Sequence, residues 1–579
     1  MRRLATGIGN MVRPLLPEAR PSRVLLAAVV LGVIVGLVVG AFEWVTADLI
    51  AHRLEDLPLA VKAVAPVVGL GLATVALRTI GRTTSPATSD EYIRAFHSRL
   101  PSLPMRLVPA RLLAGASTIG FGGALGLEGP SIYAGSALGL SLHARLGRWL
   151  SRDQAKLLLT TGAAAGVAAI FQAPATGVVF ALEAPYRDDL AHRALLPALL
   201  AAAASYLTFV SLPFIHLAPV LGLTAIDQVG YAELVGAMAV GVLAGLGGRM
   251  FARLIRAAKE LTGRFRAPVL VLAGGAVLGV LAVCSEIVFD EALSLGPGVA
   301  VVEWLADEPR SLWLIGLVFL IRVLATTTTI AAGGTGGLFI PLAVLGVTMG
   351  RFVGAGLENL GLGERETVAT IWPTLGLAAF LAAGYRTPLA AVVFVAEWSR
   401  GGPAVVPALI AAAVSQLVAG PSSVSYGQRV ERLGHLEERF TLPLTSALNT
   451  DVLTVPPDAS VGEFVWIHAL GRRERVVPVV DGSRYLGLCS VERTAEVDRD
   501  LWDETPVAVI CDTETPSARP SWSLRDAVAA MERFDTDVLA VTDSDGTFVG
   551  VVQAAEIIKL GEILDETERP GSHDKLSGA

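Results

Sequence analysis

Between Val24 and about Gly420 the chain is a succession of apolar runs separated by short polar stretches. The runs cover 24–42, 59–78, 107–126, 157–171, 193–212, 233–246, 267–283, 312–332, 338–349, 374–384, 388–396 and 404–419. Several reach the ~20 residues a helix needs to cross a hydrocarbon core. Others are shorter and interrupted by Gly or Pro, the pattern of helices that stop inside a membrane. After about residue 447 the pattern changes to short strand-like runs alternating with helical ones. The expected architecture is an all-α polytopic membrane region of short, tilted and broken helices followed by a soluble α/β domain. A composition of 53% hydrophobic residues and a mean hydropathy of +0.59 exclude an ordinary soluble protein.

The apolar region repeats. Ala173-Pro174-Ala175-Thr176-Gly177-Val178-Val179-Phe180-Ala181-Leu182-Glu183 aligns with Thr387-Pro388-Leu389-Ala390-Ala391-Val392-Val393-Phe394-Val395-Ala396-Glu397 at an offset of 214, with Pro, Val-Val-Phe and Glu coinciding. Gly162, Ala164 and Ala165 match Gly376, Ala378 and Ala379 at the same offset, and Gly337-Leu338-Phe339-Ile340-Pro341 lies 211 residues after Gly126-Leu127-Glu128-Gly129-Pro130. Repeated halves with broken helices are the layout of transporters whose binding site lies where the halves meet.

Glu128 is the candidate that chemistry singles out. From Val108 to Leu140 the only other formal charge is Arg111. A carboxylate at membrane depth is costly unless it faces protein or a watery path, so it is a functional candidate by default. Pro130 and Pro341 suit the first turn of a helix, and each helix start offers unpaired N–H groups and about half a positive charge. Two such starts meeting at mid-membrane predict a site for a small anion, built without lysine or arginine that would hold the anion too tightly. Glu128 beside it would compete with the anion and leave when protonated.

Charge divides the chain further. Residues 1–440 carry 34 Lys/Arg and 28 Asp/Glu, and residues 441–579 carry 12 and 25. The acidic second part argues against nucleic acid as a partner. Arg2, Arg3, Arg13, Arg20 and Arg23 against Glu18 place the N-terminus, and with it the C-terminus, in the cytoplasm, and the first apolar run lacks a cleavage box. Cys284, Cys489 and Cys511 have no metal spacing, and no metal site is expected.

These motifs in this order resemble the CLC family of chloride channels and chloride/proton antiporters. Gly-Leu-Glu-Gly-Pro is similar to the family's Gly-Arg/Lys-Glu-Gly-Pro, Gly-Leu-Phe-Ile-Pro to its Gly-x-Phe-x-Pro, and Ser423-Val424-Ser425-Tyr426-Gly427-Gln428 to its last-helix segment. The resemblance covers about residues 22–440. It implies inverted repeats, a homodimer in the plasma (inner) membrane and bilayer lipid as surroundings. It makes Glu128 the gating glutamate, gives the backbone amides of Phe339 and Ile340 to the central anion, and makes the Tyr426 hydroxyl a side-chain ligand. Gly126, Gly129 and Gly337 would also be anion-binding, Gly129 and its neighbours helping to form the outer site. The family's Gly-Ser-Gly-x-Pro is not cleanly present: aligning on Pro86 puts Thr83 at the serine position, aligning on Glu91 puts Ala87 there, and both stay open. The family's exchangers often carry a second acid, after Glu183, that relays protons. Here that position is Ala184, which resembles the channel branch, while Glu183 itself reads as a buried, hydrogen-bonded helix-end acid.

The C-terminal part also repeats. Ser460-Val461, Val477–Asp481 and Leu486-Gly487-Leu488 correspond to Ser523-Leu524, Leu539–Asp543 and Val549-Gly550-Val551, and the units resemble a CBS pair. Such pairs can bind adenine nucleotides through a Ser/Thr and an Asp three residues on. These positions are Ser490 and Arg493, and Gln553 and Glu556, so a structural role is favoured over a nucleotide cofactor.

The expected segments are a basic N-terminus at 1–23, the membrane domain at 24–440, CBS-like units at 447–500 and 505–564, and a disordered tail at 565–579. The expected function is a voltage- or pH-gated chloride channel with Glu128 as gate. The alternative is a chloride/proton antiporter in which Glu128 accepts the external proton without an acidic internal relay. An embedded enzyme is disfavoured, because no nucleophile motif or histidine cluster accompanies the apolar runs. A fluoride transporter is disfavoured because, by the resemblance, that branch departs from Glu-Gly-Pro and the last-helix tyrosine.

Overall fold

The computed structural model describes residues 19–560 except 84, 99, 148, 152–153, 216–228, 362–364, 399–401 and 431–441. Most of the basic segment at 1–23 and the whole tail at 565–579 lie outside the described residues. The chain divides into two compact units, Met1–Arg432 and Leu433–Ala579.

In the first unit one half contains α1 (Ala19–Trp44), α2 (Leu59–Thr79), α3 (Ser89–His97), α4 (Leu107–Gly120), α5 (Glu128–Arg145), α6 (Gln154–Ile170), α7 (Pro174–Glu183) and α8 (Leu195–Val210). The other contains α9 (Tyr231–Arg264), α10 (Ala267–Phe289), α11 (Val299–Asp307), α12 (Leu312–Ala331), α13 (Phe339–Asn359), α14 (Arg365–Tyr385), α15 (Pro388–Trp398) and α16 (Val405–Ala419). Among the described residues eight helices are long and apolar enough to cross a membrane, while α4, α6, α7 and α15 are shorter. Many long apolar side chains on α1, α2, α9 and α10 remain exposed, as lipid-facing surfaces require.

The halves repeat in packing as well as in order. Gly135 on α5 packs against the Gly162 backbone on α6, and the equivalent Gly346 on α13 packs against Gly376 on α14; a Cβ at any of the four would strike backbone. Small residues here let helices approach closely where no hydrophobic effect drives them together. The loops before α7 and α15 turn through Gln172 and Arg386, equivalent positions that share left-handed backbone (φ 51° and 58°).

The relation between the halves is set by two acids. Glu183, at the end of α7, accepts the Leu389 and Ala390 N–H groups at the start of α15 (3.0 and 2.8 Å). Glu397, near the end of α15, accepts the Ala175 and Thr176 N–H groups at the start of α7 (2.9 and 2.7 Å). Reciprocal capping needs α7 and α15 side by side and antiparallel, so the repeats are inverted. Each carboxylate neutralises two orphan donors and a positive helix end in a region poor in water.

The second unit is built from two β-ribbons. β1 (Leu448–Asn449), β5 (Phe548–Gln553) and β4 (Val538–Thr542) form one antiparallel sheet, and β2 (Val476–Asp481) pairs with β3 (Arg484–Ser490). The segment that leads into each ribbon pairs with the other: Asn449 lies opposite Val551, and Asp512 opposite Leu488. Ser523 caps α17 (Leu524–Phe534) through a reciprocal bond with Asp526, which holds that carboxyl below its ordinary value.

Candidate functional site

The site lies where the two Gly-Pro helix starts meet. Gly126 and Gly337 exchange backbone hydrogen bonds (2.9 and 2.7 Å), which joins the loops before α5 and α13. α5 begins at Glu128 and α13 at Phe339, each with its proline in the first turn.

Glu128 is fully buried. Its Oε1 accepts the Phe339 N–H at 2.5 Å, a charge-assisted contact at the positive end of α13, and the Ile340 amide adds a further backbone interaction. Oε2 has no hydrogen-bond partner among the described residues. A carboxylate oxygen therefore stands where the amides of Phe339 and Ile340 would hold an anion. The glycines make room for it: a Cβ at Gly126 or Gly337 would collide with the Glu128 carboxylate, and one at Gly129 with Thr88 Oγ1 and the Gly336 carbonyl.

A cavity of about 700 Å³ runs up to this point. Gly337, Leu338 and Tyr385 lie at its inner end, and Arg78, Arg94, Lys259 and Arg266 among its walls give it a positive potential that Asp90 offsets only in part. Thr83 and Ser85 line it, but Thr83 Oγ1 accepts the Ser85 N–H (3.2 Å) and Ser85 Oγ the Ala87 N–H (3.4 Å), so both hydroxyls serve the local turn. Thr88 Oγ1 donates to the Gly336 carbonyl at 3.2 Å, beside the joined loops.

Tyr426 sits elsewhere. It lines the cavity but is 38% exposed, its backbone N–H donates to Asp90 (3.0 Å), and Lys259 lies over its ring (4.6 Å). Its segment, expected as part of a last helix, is not helical over 421–430. The phenolic hydroxyl at the helix start belongs to Tyr385, which accepts the Leu338 N–H at 3.3 Å. Sequence reasoning passed over Tyr385 because it ends a long apolar run, where a tyrosine has many uses. The available signal was its place in the repeat, two residues before Thr387-Pro388.

Ala184 is buried, and its carbonyl accepts from Gln428 Nε2 at 2.9 Å. Both oxygens of the neighbouring Glu183 are occupied in capping α15. Arg111, the other charge in the Glu128 stretch, pairs with Glu91 (3.4 Å) and lies over the Tyr133 ring (4.0 Å).

Residues 69–420 match the family model described as voltage gated chloride channel, more than half of the chain. The chain belongs to the CLC family. A CBS domain model matches residues 507–562, which lie in the second α/β unit. The H(+)/Cl(-) exchange transporter ClcA of Citrobacter koseri is 28% identical over 425 residues, covering 71% of this chain and 88% of that one. The same transporter of Salmonella arizonae is 27% identical over 428 residues, covering 71% and 88%. Among solved structures, a slow cyanobacterial Cl-/H+ antiporter superposes with a TM-score of 0.61 at 22% identity, covering 69% of this chain and 94% of that one. A eukaryotic CLC transporter superposes with a TM-score of 0.60 at 18% identity and covers 92% of this chain and 98% of its own, so the shared fold takes in most of the C-terminal unit. The protein is thus a CLC anion transporter with a C-terminal CBS region.

Proposed function

We propose that this CLC protein exchanges chloride for protons, with Glu128 as the group that binds the proton. The observation that carries this is the Glu128 carboxylate on the Phe339 amide, with both glycine neighbours cut away to admit it. An ionised carboxylate and a chloride ion compete for the same amides. Protonation removes the charge that holds the side chain against the positive end of α13, so the side chain leaves and chloride takes its place. When chloride departs, the carboxylate returns only by giving up its proton. Proton and anion then alternate at one site, which is the requirement for exchange.

The missing acid at Ala184 does not prevent this. The 700 Å³ cavity extends to Tyr385 and the Gly337–Leu338 backbone, and water filling it would bring protons near Glu128 without an acid at position 184. The exchange activity named for the ClcA relatives supports the same reading. Ala184 favours a second reading, a chloride channel in which Glu128 only gates. We further infer a homodimer in the plasma membrane with both termini cytoplasmic, from the family and the basic N-terminal residues.

Liposomes test the main reading. A chloride gradient imposed on proteoliposomes should drive protons uphill, read as a change in internal pH that Glu128→Gln abolishes. Chloride flux without proton movement in the unaltered protein would leave the channel.

A further inference from the structure

We propose that Thr118 and Thr329 are a matched pair of positioning residues that set the gap between the two helix starts, and through it the affinity of the site for chloride. The proposal rests on anion transport alone and holds whether or not protons are coupled to it.

The pair emerges when the two halves are overlaid. Thr118 lies in the last turn of α4 and Thr329 in the last turn of α12, 211 residues apart, the offset that also relates Gly126 to Gly337. Thr118 Oγ1 accepts the Thr335 N–H and Thr329 Oγ1 accepts the Ala124 N–H, each at 3.1 Å. Ala124 and Thr335 are themselves related by the same offset, and each lies four residues before the start of α5 or α13. Each helix end therefore holds the loop of the opposite half. Because Gly126 and Gly337 pair antiparallel, the two threonine bonds fall on opposite sides of that bridge. The bridge alone would let the loops pivot about it, and a bond on either side prevents that.

The local structure of both halves presents the hydroxyls in this way. After each helix the chain turns through a left-handed glycine, Gly122 (φ 94°) or Gly333 (φ 80°). The next N–H, of Gly123 or Gly334, returns to the threonine carbonyl (2.8 and 2.9 Å). The carbonyl serves its own half while the side-chain oxygen reaches across. Thr329 Oγ1 also donates its proton to the Ala325 carbonyl (2.8 Å), which leaves its lone pairs for Ala124. Both threonines are buried, as are Ala124 and Thr335. A buried N–H deprived of its acceptor is costly, so its loop would shift toward another partner. The loops carry Glu128 and the Phe339 amide, which meet at 2.5 Å. An anion in place of the carboxylate needs the same gap, and a preorganised site tolerates displacements of only about half an ångström.

Isothermal titration of chloride into the purified, intact protein tests this, in a Glu128→Gln background so that the carboxylate does not compete. Thr118→Val and Thr329→Val, which keep the shape and remove the acceptor, should each weaken affinity about three- to tenfold. Thr118→Ser and Thr329→Ser should restore it to within about twofold, because the hydroxyl returns. Thr327→Val, on the same helix as Thr329 but bonded only to the Val323 carbonyl of its own helix (2.7 Å), should leave it unchanged. A role in folding alone would lower the fraction of protein that binds and spare the affinity. Unchanged affinity in both valine variants, a loss confined to one of them, or serine variants as weak as the valine ones would each overturn the proposal. Should the valine variants not fold, Thr118→Cys and Thr329→Cys, with a poorer acceptor of similar shape, should show a smaller loss in the same direction, and unchanged affinity there would overturn it as well. Absence of chloride binding in the Glu128→Gln protein that keeps both threonines is a separate result, which would overturn the anion site itself.

Discussion

Glu128 touches protein through one strong backbone donor and keeps a second oxygen unpartnered, an arrangement that protonation can release. Glu128→Gln should abolish the pH dependence of chloride flux and any proton coupling while preserving chloride binding; flux that still varies with pH would remove Glu128 from its role. Gly337→Ala places a methyl group against the same carboxylate. Overpacking of this kind costs ~1–3 kcal/mol, so chloride flux should fall roughly tenfold, and the double variant with Glu128→Ala should recover part of it. Glu128 and its glycines were legible in the sequence because a charge in an apolar stretch is costly and Gly-Pro pairs mark helix starts. Tyr385 and the hydroxyls at 83–89 were not. Which hydroxyl reaches a helix start depends on how two halves some 200 residues apart close on each other, and Tyr426 offered a motif while Tyr385 offered only a position.

The paired helices α7 and α15 show the repeat acting as a structural device. Each ends with an acid that caps the other, through two backbone bonds apiece. Removing a buried acceptor leaves orphan donors at ~1–3 kcal/mol each. Glu183→Ala should therefore destabilise the membrane unit by ~2–6 kcal/mol, seen as a lower midpoint in thermal unfolding in detergent, with Glu183→Gln in between. An unchanged midpoint would show that the caps carry little. The Pro, Val-Val-Phe and Glu spacing made the repeat visible in the sequence, and the expected starts at Glu128 and near Phe339 match α5 and α13. That each glutamate crosses to the other repeat was not visible, since local patterning describes one helix at a time. The two-residue strand β1, paired with β5 across about a hundred residues, escaped for the same reason.

The chain as a whole carries a CLC membrane unit and an acidic α/β unit. Among the described residues of that unit a cavity of about 80 Å³ lies beside Gln553, with Asp451 and Glu474 in its lining. Nucleotide-sized sites are ~300 Å³ or larger, and two carboxylates there oppose a phosphate. Millimolar adenosine monophosphate should then shift the unfolding midpoint by less than about 1 °C; a rise of several degrees would establish a nucleotide site. The central claim is that one site serves both proton and anion, and the reversal potential in planar bilayers or large liposomes tests it most directly. With equal chloride on both sides and a proton gradient across the membrane, exchange through Glu128 predicts a reversal potential displaced from zero in the direction set by the proton gradient. A reversal potential that stays at zero, with robust chloride current, would contradict it and leave a channel.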